Sequence, residues 1–278
     1  MKIGKLEIQF ISDGVIKMDG GAMFGQLPKV VWEQAVKPDR RNRIKLGMNC
    51  LVIRSSEGNV LVDTGAGSKS DENTRETYGL GTSKLIKNLR EIGLAAKDIN
   101  YVVLTHLHFE HAGGSTKLNR RGSPVATFPN ARYLIQRDAW EEANNPNERG
   151  KGLFCPDDFL PLMQREQIQF LDGDFELAPG VVLKVTRGHC PGHQIVVINH
   201  VGSRVAFLGD LIPTPYHLTP PSISAVDQFP EETLEKKREL LKVMERDGWL
   251  ILFAHGYETR AGYLERREGR LILKPAEV

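Results

Sequence analysis

The spacing of apolar and polar residues predicts a regular succession of strands and helices in the first half of the chain. Residues 6–14 alternate between the two kinds, as a half-buried strand does, and two apolar runs within residues 49–65 flank a polar turn, as in a hairpin. Apolar residues at helical spacing predict a helix over residues 82–94, and a short buried strand follows at residues 101–104. Residues 15–47 show no strong period and are predicted to form a long loop, with at most one short helix.

The second half repeats this order, with strands first and a helix after them. A strand and a short helix over residues 132–144 precede a long irregular region that extends to residue 165. Further strands are predicted at residues 168–171, 181–186, 195–199 and 204–208. A charged amphipathic helix over residues 231–246 leads to a last core strand at residues 250–253. We therefore expect a single α/β domain over residues 1–278, with two sheets packed face to face and helices outside.

The segment that follows the short buried strand of the first half concentrates metal-binding side chains. It reads Thr-His-Leu-His-Phe-Glu-His-Ala-Gly-Gly over residues 105–114 and holds three of the eight histidines of the chain. His106 and His108 point to the same side of an extended segment and can hold one ion. If the chain then turns into a helix, Glu110 and His111 face a second ion nearby. Imidazole and carboxylate groups are the usual ligands of zinc and other first-row metals, so the pattern predicts a metal centre.

Three further polar side chains each stand at the end of an apolar strand in the second half. They are His189, Asp210 and His255. Sheets present functional groups where their strands end, and the recurrence of this context makes the three residues candidate ligands. His193 lies only four residues after His189 and is expected to be its structural neighbour.

Together these motifs resemble those of the metallo-β-lactamase superfamily. Residues 106–111 are similar to its HxHxDH motif, and residues 62–65 (Val-Asp-Thr-Gly) resemble its upstream VDTG motif. His189, Asp210 and His255 match its three later ligand motifs, in order. The resemblance covers most of the chain. It implies the family fold, a four-layer αβ/βα sandwich of two mixed β-sheets with outer helices.

The resemblance also implies two metal sites that share Asp210 as a bridging ligand. One site takes His106, His108 and His189, and the other takes Glu110, His111 and His255. Asp63 is implied to orient a ligand histidine through its ring N–H. Two divalent ions are expected, zinc first. Manganese or iron stays open because Glu110 stands where the family usually has the shorter aspartate.

Composition and charge narrow the class of protein. The formal net charge is +2, which is too balanced for a typical nucleic-acid binder. The first residues have no apolar run of the kind found in signal peptides, and no stretch approaches ~18 apolar residues, so neither export nor a membrane span is expected. Three scattered cysteines do not form a disulfide framework. We expect a cytoplasmic enzyme with a small-molecule substrate, and a homodimer stays open.

The resemblance implies a hydrolase that uses a metal-bound hydroxide, with Asp210 and Glu110 as catalytic residues. The sequence segments at residues 106–114 and 191–194, together with the short segment after His255, look like those of quorum-quenching lactonases and the parathion-hydrolase-like group. An ester or lactone of a small molecule is therefore the expected substrate. The loop after Asp210 is expected to cover the metals, with Tyr216 or His217 donating a hydrogen bond to a substrate carbonyl.

Two alternatives stay open at this point. One is a hydrolase of phosphotriesters or phosphodiesters, because the same kind of metal centre suits phosphoryl substrates. The other is a metal-containing protein that binds a ligand with little turnover. In that case Glu110, in place of the usual aspartate, would distinguish the binding protein from the enzymes.

Overall fold

A computed structural model describes all 278 residues and contains two seven-stranded β-sheets. In spatial order, the first sheet consists of β1 (Lys2–Ile3), β2 (Leu6–Asp19), β3 (Arg43–Ser55), β4 (Gly58–Val62), β5 (Tyr101–Val103), β8 (Arg132–Gln136) and β9 (Ile168–Leu171). The second consists of β10 (Phe175–Ala178), β11 (Val181–Val185), β12 (Gln194–His200), β13 (Ser203–Phe207), β14 (Leu250–Leu252), β15 (Ala261–Arg267) and β16 (Arg270–Pro275). Two short strands, β6 (Thr116–Leu118) and β7 (Pro124–Ala126), pair only with each other.

Both sheets are mixed. In the first, β4, β5, β8 and β9 run parallel to one another, and the other pairs are antiparallel. In the second, only β13 and β14 are parallel. Parallel strands end at the same edge of a sheet, so the loops that follow β4, β5, β13 and β14 are free to meet at one end of the sandwich.

The strands are apolar on both faces because each sheet is covered on both sides. In β4, Val62 packs between the two sheets, whereas Leu61 packs beneath the outer helices. In β13, Phe207 packs between the sheets and Ala206 packs under the helix on the far side. Side chains of a strand alternate between its faces, so continuous apolar runs such as these form strands that are buried on both faces.

Eight α-helices surround the sheets. They are α1 (Gly20–Phe24), α2 (Lys29–Trp32), α3 (Glu72–Tyr78), α4 (Leu85–Glu91), α5 (Phe109–Ala112), α6 (Arg137–Asn144), α7 (Leu160–Gln164) and α8 (Pro230–Arg246). Helices α4, α6 and α7 cover the first sheet, and α8 covers the second with Leu240, Leu241 and Met244. The predicted helices at residues 82–94 and 231–246 are confirmed, as is the four-layer αβ/βα sandwich. None of the helices is both long and apolar enough to span a bilayer.

The prediction of a long loop over residues 15–47 is wrong at both ends of the segment. Strand β2 continues to Asp19 and pairs with β3 as far as Arg43, which leaves only residues 20–42 outside the sheet, with α1 and α2 among them. A bulge at Asp13 inserts one residue between Ser12 and Gly14. The insertion shifts the apolar alternation by one position, so a single period does not run through the strand.

The bulge also places the Asp13 carboxylate where it can anchor other segments. Its Oδ1 accepts from the backbone N–H groups of Lys84 and Leu85, at 3.1 and 3.0 Å, at the start of α4. Its Oδ2 accepts from the N–H of Gly67 at 3.0 Å. A buried carboxylate thus satisfies donors at a helix N-terminus and ties the helix to the loop that follows β4.

The strand predicted at residues 250–253 is not the last one. The hairpin of β15 and β16 follows it, joined by Glu268 and Gly269 with positive φ of 49° and 79°. Exposed charges on these strands conceal their alternation in the sequence. The region predicted as irregular up to residue 165 contains two 3₁₀ turns and all of α7.

Candidate metal centre

The seven predicted ligand residues all lie in loops or a short helix at one end of the sandwich. An extended segment after β5 carries His106 and His108, and α5 then turns Glu110 and His111 towards them. His189, Asp210 and His255 follow β11, β13 and β14. All seven side chains are buried, with exposed fractions between 0% and 7%.

The structure brings these side chains together in two groups. Within each group, the potential ligand atoms lie within 4.8 Å of one another. The first group is His106, His108 and His189, and the second is Glu110, His111, Asp210 and His255. The division is the one that the sequence motifs imply.

Asp210 lies between the two groups. Its Oδ1 is 3.2 Å from Nε2 of His111 and 3.2 Å from Nε2 of His255. Its Oδ2 is 3.6 Å from Nε2 of His189, which belongs to the first group. Each oxygen therefore faces a different group, as a bridging carboxylate requires.

Hydrogen bonds behind the histidines fix how their rings are protonated. His255 donates from Nδ1 to the carbonyl oxygen of Gly47 at 2.7 Å, which requires a proton on Nδ1. His111 contacts Asp63 Oδ2 through Nδ1 at 2.8 Å. In a neutral imidazole whose Nδ1 carries the proton, Nε2 presents a lone pair. If both rings are neutral, His255 aims a lone pair into the centre, and His111 does the same when its Nδ1 carries the proton.

This arrangement tests whether the residues fit a metal. The Nε2 atoms of His111 and His255 lie only 3.1 Å apart, and the Asp210 carboxylate faces both. Three electron-pair donors converge there, an arrangement that a cation stabilises and an apolar core does not. Nε2 of His106 and Oε2 of Glu110 are also buried without a hydrogen-bond partner. Buried polar atoms are rarely left unpaired, so this set of nitrogen and oxygen donors fits divalent ions.

The pKa values of His106 and Asp210 agree with such a role, whereas nearby carboxylates outweigh burial and raise those of His111 and His189, which an ion would have to deprotonate on binding. Burial lowers the pKa of His106 far below its usual range, and the neighbouring His111 adds to the effect, so that ring is neutral. Burial alone would raise the pKa of Asp210, but His255 and His111 outweigh it and hold that pKa well below its ordinary value. Neutral imidazole and ionised carboxylate are the states that bind metals.

Asp63 lies behind the ligands, where the sequence motif implied a supporting carboxylate. Besides its contact with His111, it accepts from the backbone N–H of Thr105 at 2.8 Å and from the Thr105 hydroxyl at 2.9 Å. Its φ of 58° is in the left-handed region, which directs the chain from β4 into the loop. Thr105, which directly precedes His106, therefore connects Asp63 to the candidate ligand segment.

Asp227 is a supporting residue that the sequence gave no reason to single out. Its Oδ1 is 2.8 Å from Nδ1 of His189, and its Oδ2 accepts from the Thr233 hydroxyl on α8 at 2.7 Å. It stands in an irregular polar loop, where no motif or strand end marks it. The signal that could have found it is chemical: a ligand histidine usually donates its outer N–H to a carboxylate or carbonyl.

His193 supports the backbone of Asp210. Its Nε2 accepts from the Asp210 N–H at 3.0 Å, and its Nδ1 is 2.6 Å from the Thr186 hydroxyl. Gly209, which precedes Asp210, has a positive φ of 51°, and a Cβ there would come within 2.7 Å of the His193 ring. The hydrogen bond from the Asp210 N–H and the close packing of Gly209 against His193 both fix the position of the loop that carries Asp210.

Tyr216 and His217, the predicted substrate contacts, have different surroundings. Tyr216 lines a cavity of about 470 Å³ together with His255. His217 is buried, with Nδ1 2.7 Å from the Thr214 hydroxyl and Nε2 donating to the Met23 carbonyl at 2.8 Å. The prediction for His217 is therefore corrected to a structural role, because neither ring nitrogen is free to meet a substrate.

A second cavity, of about 410 Å³, also reaches the centre. Glu110 and Asp210 line it together with Lys17, Asp19, Arg41, Arg43 and Thr77, and the other half of the wall is apolar or aromatic. These apolar lining residues are Met18, Ala22, Met23, Tyr78, Phe109, Leu153 and Val226. Such a wall suits the hydrocarbon part of a small molecule next to the metal ligands.

Comparison with known proteins identifies the family. The model of the metallo-β-lactamase superfamily matches residues 45–255. The chain belongs to the metallo-β-lactamase superfamily. With its two ligand groups, it is a metal-dependent hydrolase of that superfamily.

Three relatives of this superfamily illustrate the similarity. The chain is 28% identical over 238 residues to an N-acyl homoserine lactonase of Bacillus cereus, which covers 80% of this chain and 86% of the relative. A crystal structure of a probable metal-dependent hydrolase from Staphylococcus aureus has a TM-score of 0.90 and 31% identity, with both chains covered completely. An N-acyl homoserine lactone hydrolase, solved with N-hexanoyl-L-homoserine at its catalytic metal centre, has a TM-score of 0.70 and 27% identity, covering 93% of this chain and 95% of the other.

The role of Asp227 can be tested by Asp227→Asn. We expect metal affinity to fall about tenfold to a hundredfold, because the carboxylate that orients His189 and raises its basicity is lost. Competition with a chromogenic chelator measures the change. Asp172→Asn is the control, since Asp172 is exposed, pairs with Arg137 and forms no hydrogen bond or ion pair with a candidate ligand. Equal metal affinity in the Asp227 variant and the wild type would contradict this role.

Proposed function

We propose that this protein hydrolyses the ester or lactone bond of a small molecule at a centre of two divalent ions, with zinc as the expected metal. The observation that carries the proposal is Asp210, whose two oxygens face two separate groups of buried ligands beside an apolar cavity. The N-acyl homoserine lactonases among the relatives support the choice of a lactone or ester.

The proposed ligands divide as the two groups do. His106, His108 and His189 would hold one ion, and Glu110, His111 and His255 would hold the other, with Asp210 shared between them. When bound, the ions would supply an activated water and polarise the substrate carbonyl. Asp63, Asp227 and the Gly47 carbonyl orient the histidines from behind.

Other groups of the protein bind and orient the substrate. The cavity lined by Phe109 and Met23 takes an apolar part of the substrate and excludes water from it. Burial raises the pKa of Tyr216, and Glu258 adds to the effect, so its hydroxyl remains protonated. That hydroxyl donates to the carbonyl oxygen. In the overall reaction, the oxygen of water bonds to the acyl carbon, the bond to the alkoxy oxygen breaks, and a proton passes to the leaving alcohol.

The proposal is tested on zinc-loaded protein with 4-nitrophenyl hexanoate, an N-acyl homoserine lactone and a phosphotriester. We expect turnover of the ester and the lactone, its loss on treatment with a chelator, and its return with zinc. Turnover of the phosphotriester alone would overturn the proposal in favour of a phosphoester hydrolase. Absence of any turnover in protein that holds metal would favour a binding role.

Tyr216→Phe tests the predicted hydrogen bond to the substrate. We expect kcat/KM for the ester to fall about tenfold, equivalent to about 1.4 kcal/mol, because one donor to the carbonyl oxygen is removed. Metal content should not change. Tyr263→Phe is the matched control, since Tyr263 is an exposed residue of β15. If both variants behave alike, Tyr216 does not contact the substrate.

A further inference from the structure

The cavity that Tyr216 and His255 line has an unusual charge distribution. Four cationic side chains face it, against two carboxylates. The cations are Lys17, Lys37, Arg43 and Lys45, and the carboxylates are Asp39 and Glu258. The balanced charge of the whole chain does not show this local excess.

The strand register places two of these cations directly opposite each other. Lys17 of β2 is the cross-strand partner of Lys45 of β3. Partners in an antiparallel pair point to the same face, and like charges in this arrangement destabilise the sheet. An anion between or beside the two ammonium groups would remove this repulsion.

The carboxylates of the cavity neutralise Lys17 only in part and do not pair with Lys45. Asp39 accepts two hydrogen bonds from the Arg43 guanidinium, at 3.1 and 3.0 Å, and is 3.7 Å from the Lys17 ammonium. It is therefore committed mainly to Arg43. Lys45 forms no ion pair within 4.0 Å, and its ammonium lies 5.8 Å from the centre of the Tyr257 ring. Glu258 lines the same cavity without an ion pair.

Lys17 also connects this cavity to the metal centre. It lines both the cavity beside His255 and the apolar cavity beside Glu110. Its stem packs against Gly79, where a Cβ would come within 2.9 Å of the Lys17 side chain. Gly79 has a positive φ of 57° and ends α3, so both its conformation and its lack of a side chain make room for the lysine.

We propose that the cavity beside His255 binds an oxyanion of the substrate, held by Lys17 and Lys45. The preferred substrate is then an ester or lactone that carries a carboxylate or a similar anionic group away from the bond that is cleaved. This proposal rests on the hydrolase function proposed above and specifies the class of substrate.

The test uses two esters that differ only in the end of the acyl chain. Mono-4-nitrophenyl adipate has a carboxylate where 4-nitrophenyl hexanoate has a methyl group. We expect Lys17→Gln and Lys45→Gln each to lower the ratio of kcat/KM for adipate to that for hexanoate, by about fivefold, mainly through KM for adipate. High salt should lower the same ratio in the wild type, because it screens exposed charges.

Lys87→Gln is the control for loss of one positive charge. Lys87 is exposed on α4, pairs only with Glu91, and lines neither cavity, so the ratio should not change. An unchanged ratio in the Lys17 and Lys45 variants would overturn the proposal even if both esters are cleaved.

Failure of the hydrolase function itself gives a different result. If the wild type cleaves neither ester, calorimetric titration with adipate still measures recognition of the anion. Binding that is lost in the double variant Lys17→Gln, Lys45→Gln would support the oxyanion site without the hydrolase. Binding that is absent in the wild type, or equal in both proteins, would overturn the site as well.

Discussion

Asp210→Ala is expected to abolish hydrolysis and to lower the metal content of the protein. The two oxygens of Asp210 face different ligand groups, 3.2 Å from His111 and His255 on one side and 3.6 Å from His189 on the other. Its removal therefore weakens both proposed sites and leaves two clusters of lone pairs without the shared negative charge. We expect turnover to fall roughly a thousandfold or more, about 4 kcal/mol in barrier.

Steady-state turnover and metal stoichiometry by mass spectrometry measure this effect. Asp172→Ala is the control, because it removes an exposed carboxylate that pairs with Arg137 and should leave both quantities unchanged. Circular dichroism checks that the Asp210 variant is folded. Full metal loading with normal turnover in that variant would refute a bridging role.

Glu110→Gln is expected to cost ~2 kcal/mol or more in barrier, roughly thirtyfold in rate. Glu110 is buried in the group formed with His111, Asp210 and His255, and its Oε2 has no hydrogen-bond partner. Glutamine keeps the size of the side chain but removes its charge. The second ion should then bind more weakly, and water at the centre should be harder to deprotonate.

Glu110→Asp is the matched comparison, since it restores the residue that the HxHxDH motif usually has while keeping the charge. We expect this variant to retain most of the activity and to change the preferred metal, because a shorter side chain alters the geometry of the site. Turnover and metal stoichiometry of both variants with zinc, manganese and iron distinguish the two effects. Wild-type behaviour of the Gln variant would mean that Glu110 is not a ligand.

Local patterns in the sequence were enough to propose the first candidate ligand segment and to predict two sheets packed face to face with helices outside. Residues 106–111 lie within one short stretch, so their spacing determines which side chains share a side once the strand ends and α5 begins. His189, Asp210 and His255 were predictable because each stands at the end of an apolar strand, and strand ends meet at the edge of a sheet. The continuous apolar runs of β4 and β13 are typical of sheets that are covered on both faces.

The extent of the strands was predictable only where the alternation is unbroken. The bulge at Asp13 changes the phase of β2, so the sequence pattern alone could not carry the strand on to Asp19. Charged residues on β15 and β16 hide an edge hairpin, because an edge strand with one solvated face needs few apolar residues.

The chain by itself determined which residue types could hold metal and where along the strands they stand. Only the tertiary structure decided which groups surround them. Asp227 reaches His189 across 38 residues, the Gly47 carbonyl reaches His255 across 208, and the Met23 carbonyl holds His217 away from the site across 194 residues. The opposition of Lys17 and Lys45 likewise depends on the pairing of two strands. Contacts between segments so distant in sequence follow from packing and register, which local periodicity does not encode.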